Sequence, residues 1–111
     1  MKNNEITLIN IFQVEPEKQQ QLIDIMIRTA DQTVRYLPGF ISAHLYRGLD
    51  GTRVANYVQW RSKEDLDRMR ETPEMKKHID EIHTITRGNP LLFELCNVTE
   101  GVHESVLASA K

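Results

Sequence analysis

The sequence predicts an α+β domain, one antiparallel sheet with two helices on a single face, in the chain order β-α-β-β-α-β. Three observations predict it. Runs rich in β-branched and aromatic residues alternate with stretches of helical periodicity. The turn Gly48-Leu49-Asp50-Gly51 joins two such runs as a hairpin, Asp-Gly being a strong short-range hairpin signal. Pro38-Gly39 and Gly88-Asn89-Pro90 end the two helical stretches.

Residues 6–14 (ITLINIFQV) read as the first strand. Leu8, Asn10, Phe12 and Val14 share one face, and Thr7, Ile9, Ile11 and Gln13 share the other. Both rows are mostly apolar, so both should be covered, and Asn10 is the odd residue in its row. Glu15-Pro16-Glu17 opens a helix, with proline in the first turn and acidic groups at the positive end of the dipole. It should run to about Tyr36, because Leu22, Ile23, Met26, Ile27, Ala30, Val34 and Leu37 recur at helical spacing.

Phe40 to Arg47 (FISAHLYR) and Arg53 to Trp60 (RVANYVQW) are the arms of the hairpin. In the return arm Val54, Asn56, Val58 and Trp60 lie on one face, and Ala55, Tyr57 and Gln59 on the other. Ser62-Lys63-Glu64-Asp65 resembles a capping box, and Thr72-Pro73 restarts the helix with a new cap. Met75, Ile79, Ile82 and Ile85 form the inner stripe of that second segment, and Leu91 to Val98 (LLFELCNV) is a fourth strand. The elements make one domain over residues 1–98, with 99–111 as a tail or an arm onto a partner. The economical packing is ferredoxin-like, with both helices on one side of the sheet.

The other side then carries Ile9, Ile11, Ala55 and Tyr57. An apolar sheet face of that size should not stand in water. Packing of two sheets would bury it, so a homodimer is expected.

Composition bounds the function. The 111 residues include 14 Lys and Arg against 16 Asp and Glu, a formal charge of −2, and the pI is near 6.1. That balance gives no electrostatic reason to expect nucleic acid or an anionic membrane surface. No stretch approaches the ~20 apolar residues needed to span a bilayer. Cys96 is the single cysteine, which excludes an internal disulfide and fits a reducing compartment. The opening MKNNEITLINIF has no apolar h-region, so a cytoplasmic protein is expected. A domain this small buries only roughly 60–70% of its unfolded surface. A deep pocket would come out of its own core, which again favours oligomerisation.

Common catalytic motifs are missing. There is no GxGxxG after a strand, no P-loop lysine motif and no CxxC pair. His78 and His83 are turned about 140° from each other on a helix, so they do not make a paired metal face. His44 and His103 have no motif around them, and Ser62 sits at a cap with no visible base. No metal is expected. What remains is Asn56 and Trp60, four apart on one strand face, and Asn10 in an apolar row. A buried Asn is costly unless hydrogen-bonded. Either each amide satisfies a loose backbone group and Trp60 is plain core, or the three face a ligand. The residues alone leave both readings open.

Pro38-Gly39-Phe40-Ile41-Ser42-Ala43, the Asp50-Gly51-Thr52 turn and Asn56-Tyr57-Val58-Gln59-Trp60 carry a resemblance. Together they resemble the antibiotic biosynthesis monooxygenase family, in particular the cofactor-free, quinone-forming members of aromatic polyketide pathways. The likeness spans roughly residues 6 to 98. It implies a ferredoxin-like chain dimerising through its sheets, a dimeric α+β barrel. Asn10, Asn56 and Trp60 would be the catalytic groups, and Phe12, Tyr46, Leu66, Met69 and His78 the substrate contacts. Leu66 stands where a relative has a tyrosine implicated in proton handling, so the resemblance does not supply that relay. No cofactor is implied. Dioxygen would be the co-substrate, and a small, electron-rich aromatic molecule such as an anthrone would supply the electrons. Two other expectations follow from the same superfamily. One is haem binding or degradation through a helix histidine near His78, although Met69 stands near where a tryptophan would be expected. The other is a non-catalytic small-molecule-binding dimer.

Overall fold

A computed structural model describes residues 4–102. Strand β1 (Ile6–Gln13) is followed by helix α1 (Gln19–Gln32), strands β2 (Phe40–Arg47) and β3 (Arg53–Trp60), helices α2 (Lys63–Glu71) and α3 (Pro73–His83), and strand β4 (Leu91–Phe93). The four strands form one sheet in the order β2-β3-β1-β4, and every neighbouring pair is antiparallel. This is the ferredoxin-like order, with the helices on the face that carries Leu8, Phe12, Val54, Val58 and Trp60.

Local chemistry sets the boundaries. Pro16–Lys18 form a single 3₁₀ turn before α1, consistent with proline at the first helical position. The helix stops at Gln32 rather than Tyr36, because Thr33 leaves helical geometry (φ −131°, ψ −60°) and Val34–Tyr36 form a separate 3₁₀ turn. In α1 it is Ile25 that is buried, while Ile27 is exposed, so the inner stripe is rotated from the one expected. Ser62 caps α2 by accepting from the Asp65 backbone N–H at 3.2 Å. Its hydroxyl also donates to the Asp65 carboxylate at 2.9 Å, so the box closes on the cap's side chain. Thr72 caps α3 by accepting from the Met75 N–H, with Pro73 next in line. At the hairpin, the Asp50 carboxylate accepts from the Thr52 N–H and hydroxyl, and Gly51 takes φ +84°.

Strand β4 is three residues long, not the eight expected. Thr7 pairs with Phe93, so the chain beyond Phe93 runs past the start of β1 and has no strand left to pair with. Of the expected tail, residues 103–111 lie outside the described residues. The sheet face away from the helices carries Ile9, Ile11, Tyr57 and Tyr46, joined at the β4 edge by Leu91 and Phe93. Ile11 is 49% exposed and Tyr46 57%.

Candidate active site

The register decides which side chains can meet. Asn10 lies directly opposite Asn56 in the β1–β3 pair, with Leu8 opposite Val58 on one side and Phe12 opposite Val54 on the other. Cross-strand partners share a face, so both amides point towards the helices. They interrupt the core at one level. Below them Phe12, Val14, Val54, Leu22, Ile23, Ile25, Met26 and Ile82 form one apolar cluster. Above them Leu8, Val58, Trp60, Leu66, Met69 and Met75 form a second. The polar row Asn10–Asn56 is the seam between the two.

Two polar atoms along this face are buried without a partner among the described residues, Oδ1 of Asn10 and Nε1 of Trp60. Each leaves a desolvated group unpaired, at a cost of about 1–3 kcal/mol. A third such atom is Oγ1 of Thr29. A structural amide would have spent its oxygen on a backbone N–H. Neither Asn10 Oδ1 nor the Trp60 indole N–H is satisfied by another of the described residues. The backbone at Gly88 crosses Asn10 so closely that an added Cβ would overlap its Oδ1 and meet Phe12 Cε1 at 2.8 Å.

The other sequence-predicted residues divide. Trp60 is completely buried and meets Phe40 edge to face, with ring centroids 5.7 Å apart at 74°. Its ring is therefore packed against the second cluster rather than open as a stacking surface, and it is the N–H that remains free. Leu66 and Met69 hold it from α2, and Leu66 is also fully buried. Phe12 belongs to the first cluster, across the seam. Tyr46 does not join them. It pairs with Ala55, so it lies on the opposite face of the sheet from Asn56, whose β2 partner is Leu45. The hairpin closure, with Arg47 opposite Val54, sets that register, and the irregularity between Phe40 and Ser42 then places Phe40 opposite Trp60. His78 is turned to α1, where its Nε2 lies 3.1 Å from the Thr33 hydroxyl. One nitrogen of the helix histidine is thereby engaged.

The residue missed by the sequence reading is Thr29, which sits three after Met26 in the apolar stripe and could have been noticed as its polar interruption. Gln19 was missed as well. Its Nε2 donates to the carbonyls of Gly48 (3.0 Å) and Arg53 (2.9 Å), pinning the start of α1 to the hairpin.

Charge is kept at the margins. Asp65, at the start of α2, accepts from Ser62, Arg61 and Arg68. The Ser62 hydroxyl and the two guanidinium groups hold its carboxyl below the usual value of 3.8. Asp50 is lowered likewise, chiefly by the Thr52 N–H and hydroxyl. A groove of ≈ 410 Å³ is lined by Gln13, Val14, Glu15, Lys18, Thr52, Arg53 and Ile85. It opens at the far edge of the first cluster, and none of the predicted site residues lines it. Among the described residues no group of three or more His, Cys, Asp or Glu is placed to hold a metal ion. Nor is any helix among them long and apolar enough to cross a membrane.

The ferredoxin-like sheet thus carries, beneath its helices, a polar row in which the buried oxygen of Asn10 has no partner among the described residues. Residues 5–81 match the family model described as antibiotic biosynthesis monooxygenase. The chain belongs to that family, and as a member it is classed with the oxidoreductases. It is 38% identical over 89 residues to the tetracenomycin-F1 monooxygenase of Streptomyces glaucescens, covering 80% of each chain. The fold is similar to that of SnoaB, a cofactor-independent oxygenase from Streptomyces nogalater. The TM-score there is 0.76 at 23% identity, over 86% of this chain and 97% of SnoaB. It is also similar to the ActVA-Orf6 monooxygenase of Streptomyces coelicolor, solved with nanaomycin D. In that case the TM-score is 0.78 at 20% identity, over 89% of this chain and 94% of the other.

Proposed function

We propose that this protein is a cofactor-independent monooxygenase that oxidises an electron-rich polycyclic phenol or anthrone to a quinone. The observation that carries the reading is that Asn10 Oδ1, in the seam, and Trp60 Nε1, beside it, are buried without partners among the described residues on an otherwise apolar face. The relative named for tetracenomycin F1 supports an aromatic polyketide substrate, and SnoaB's description supports the absence of a cofactor.

The substrate supplies the electrons. Loss of a proton from the anthrone methylene gives an electron-rich anion that reduces dioxygen and joins it at that carbon. The O–O bond then breaks as the second methylene proton is lost. One oxygen atom stays as the quinone carbonyl, and the other leaves as water. The protein's part is to favour the anion in a dry place. The Nδ2 groups of Asn56 and Asn10 can donate to the developing oxyanion without adding a buried charge, and one such donor is worth ~3 kcal/mol of barrier. The unpartnered Oδ1 of Asn10 can accept from a substrate hydroxyl before it ionises. The free Trp60 N–H can hold a second oxygen. In this reading the outer sheet face is closed by a second copy of the chain, which makes a homodimer working in the cytoplasm.

The test is oxygen uptake with anthrone. Purified protein should consume one dioxygen per quinone formed, stop without oxygen, and gain nothing from added flavin or metal. Asn56→Ala and Trp60→Phe should each cut kcat by ~100-fold while far-UV circular dichroism stays unchanged. Undiminished turnover in both variants removes the assignment.

A further inference from the structure

We infer that Thr29 is a substrate-contacting residue, its hydroxyl bonding from the helix side to the substrate oxygen that Asn10 and Asn56 address from the sheet. The inference rests on the seam being the substrate site. It adds a group that the sequence pattern treats as ordinary helix.

Thr29 is 5% exposed, and its Oγ1 has no partner among the described residues. A threonine inside a helix ordinarily returns its hydroxyl to a carbonyl one turn back. Other threonines of this chain find backbone partners. Thr72 donates to the Met69 carbonyl at 3.0 Å, Thr84 to the Glu81 carbonyl at 2.6 Å, and Thr86 to the Gln13 carbonyl. Thr29 stands apart from them, with a desolvated oxygen and nothing to bond.

Its level along the sheet follows from the tether of α1. Gln19 bonds to the Arg53 carbonyl, so the helix starts beside the first residue of β3. The opposite end of α1 leads, through Val34 and Leu37, into the cluster around Trp60. Helix and strand therefore run side by side in the same direction. Ten residues of helix from Gln19 to Thr29 advance about 15 Å. Three residues of strand from Arg53 to Asn56 advance about 10 Å, and five to Val58 about 17 Å. Thr29 thus stands on the buried side of α1 at a level between Asn56 and Val58. The clusters agree, since Met26 belongs to the one below the seam and Val34 packs with the one above.

An aromatic oxygen lodged in the seam would meet amides on the sheet side and a hydroxyl on the helix side. The hydroxyl donates as that oxygen gains negative charge, and no proton leaves Thr29.

The test compares Thr29→Val, which keeps the shape and removes the hydroxyl, with Thr29→Ser, which keeps the hydroxyl. Anthrone reports turnover, and alizarin reports ionisation of a bound phenol through its visible band. Thr29→Val should lower kcat by about tenfold or more, with Thr29→Ser within about threefold of the parent. Bound alizarin should ionise at higher pH in Thr29→Val than in the parent or Thr29→Ser, because the anion has lost a donor. A helix-packing role would not move that titration. Parent-like turnover and ionisation in Thr29→Val overturn the inference, and so does equal loss in both variants. Parent protein that neither consumes oxygen with anthrone nor binds alizarin overturns the reading of the site, and this inference with it.

Discussion

The hydroxyl of Thr33 lies 3.1 Å from Nε2 of His78, linking the residue that ends α1 to the middle of α3. The pair uses a helix histidine for joining elements and occupies its Nε2. Haem added to the protein should therefore keep the absorption spectrum of free haem. His78→Ala should lower stability by about 1 kcal/mol, the worth of one part-buried hydrogen bond, measured by urea unfolding.

Stability and activity should oppose each other at the seam. Asn10→Leu replaces an unpartnered buried amide with an apolar side chain of similar size and joins the two clusters. The expected outcome is a gain of about 1 kcal/mol in unfolding free energy together with loss of anthrone turnover. A variant that is both less stable and fully active would show that the amide belongs to the fold.

Gly88 gives a second handle on the same atom. A Cβ there overlaps Asn10 Oδ1 and crowds Phe12, both buried on the sheet. Gly88→Ala should cost about 1–3 kcal/mol and depress turnover. Gly101→Ala, where a Cβ meets nothing within 4 Å, should leave thermal stability as it was.

Asp65 sets a pH dependence with a definite sign. Its folded carboxyl titrates below the ordinary 3.8, because Ser62, Arg61 and Arg68 favour the charged form. Its contribution is complete above that ordinary value and fades as pH falls through the lowered one. The stability gap between the parent and Asp65→Asn should therefore be widest near neutrality and close in acid, followed by thermal unfolding across pH 7 to 2.5.

The outer sheet face makes the oligomer testable. Ile11→Asp puts a charge among Ile9, Tyr57 and Leu91 without touching the helix face. Sedimentation velocity should find the parent as a dimer and the variant as a monomer at equal concentration.

Much of the architecture was legible in the residues. The alternation of apolar runs, the Asp50-Gly51 turn and the Ser62 and Thr72 caps are local signals, and local hydrogen bonds realise them. The face shared by Asn56 and Trp60 followed from the period of a strand. Asn10 could be paired with Asn56 only once the register was known, since a shift of one residue would have turned it away. The same uncertainty misled for Tyr46, because the turn that sets Arg47 opposite Val54 fixes which side Tyr46 takes. The short β4 depended on where β1 begins, a non-local fact. Thr29 was hidden for another reason. A threonine in an apolar stripe looks the same whether or not its hydroxyl is spent on its own helix.

The row of amides has a mechanical consequence. Apolar packing on the sheet is divided, because the cluster around Leu22 and that around Trp60 lie on either side of the Asn10–Asn56 row. The domain carries a parting line, much as a casting does where two mould halves met. In the proposed reading a flat molecule would lodge along that line, displacing side chains of the two clusters while the strands that cross it keep the halves joined.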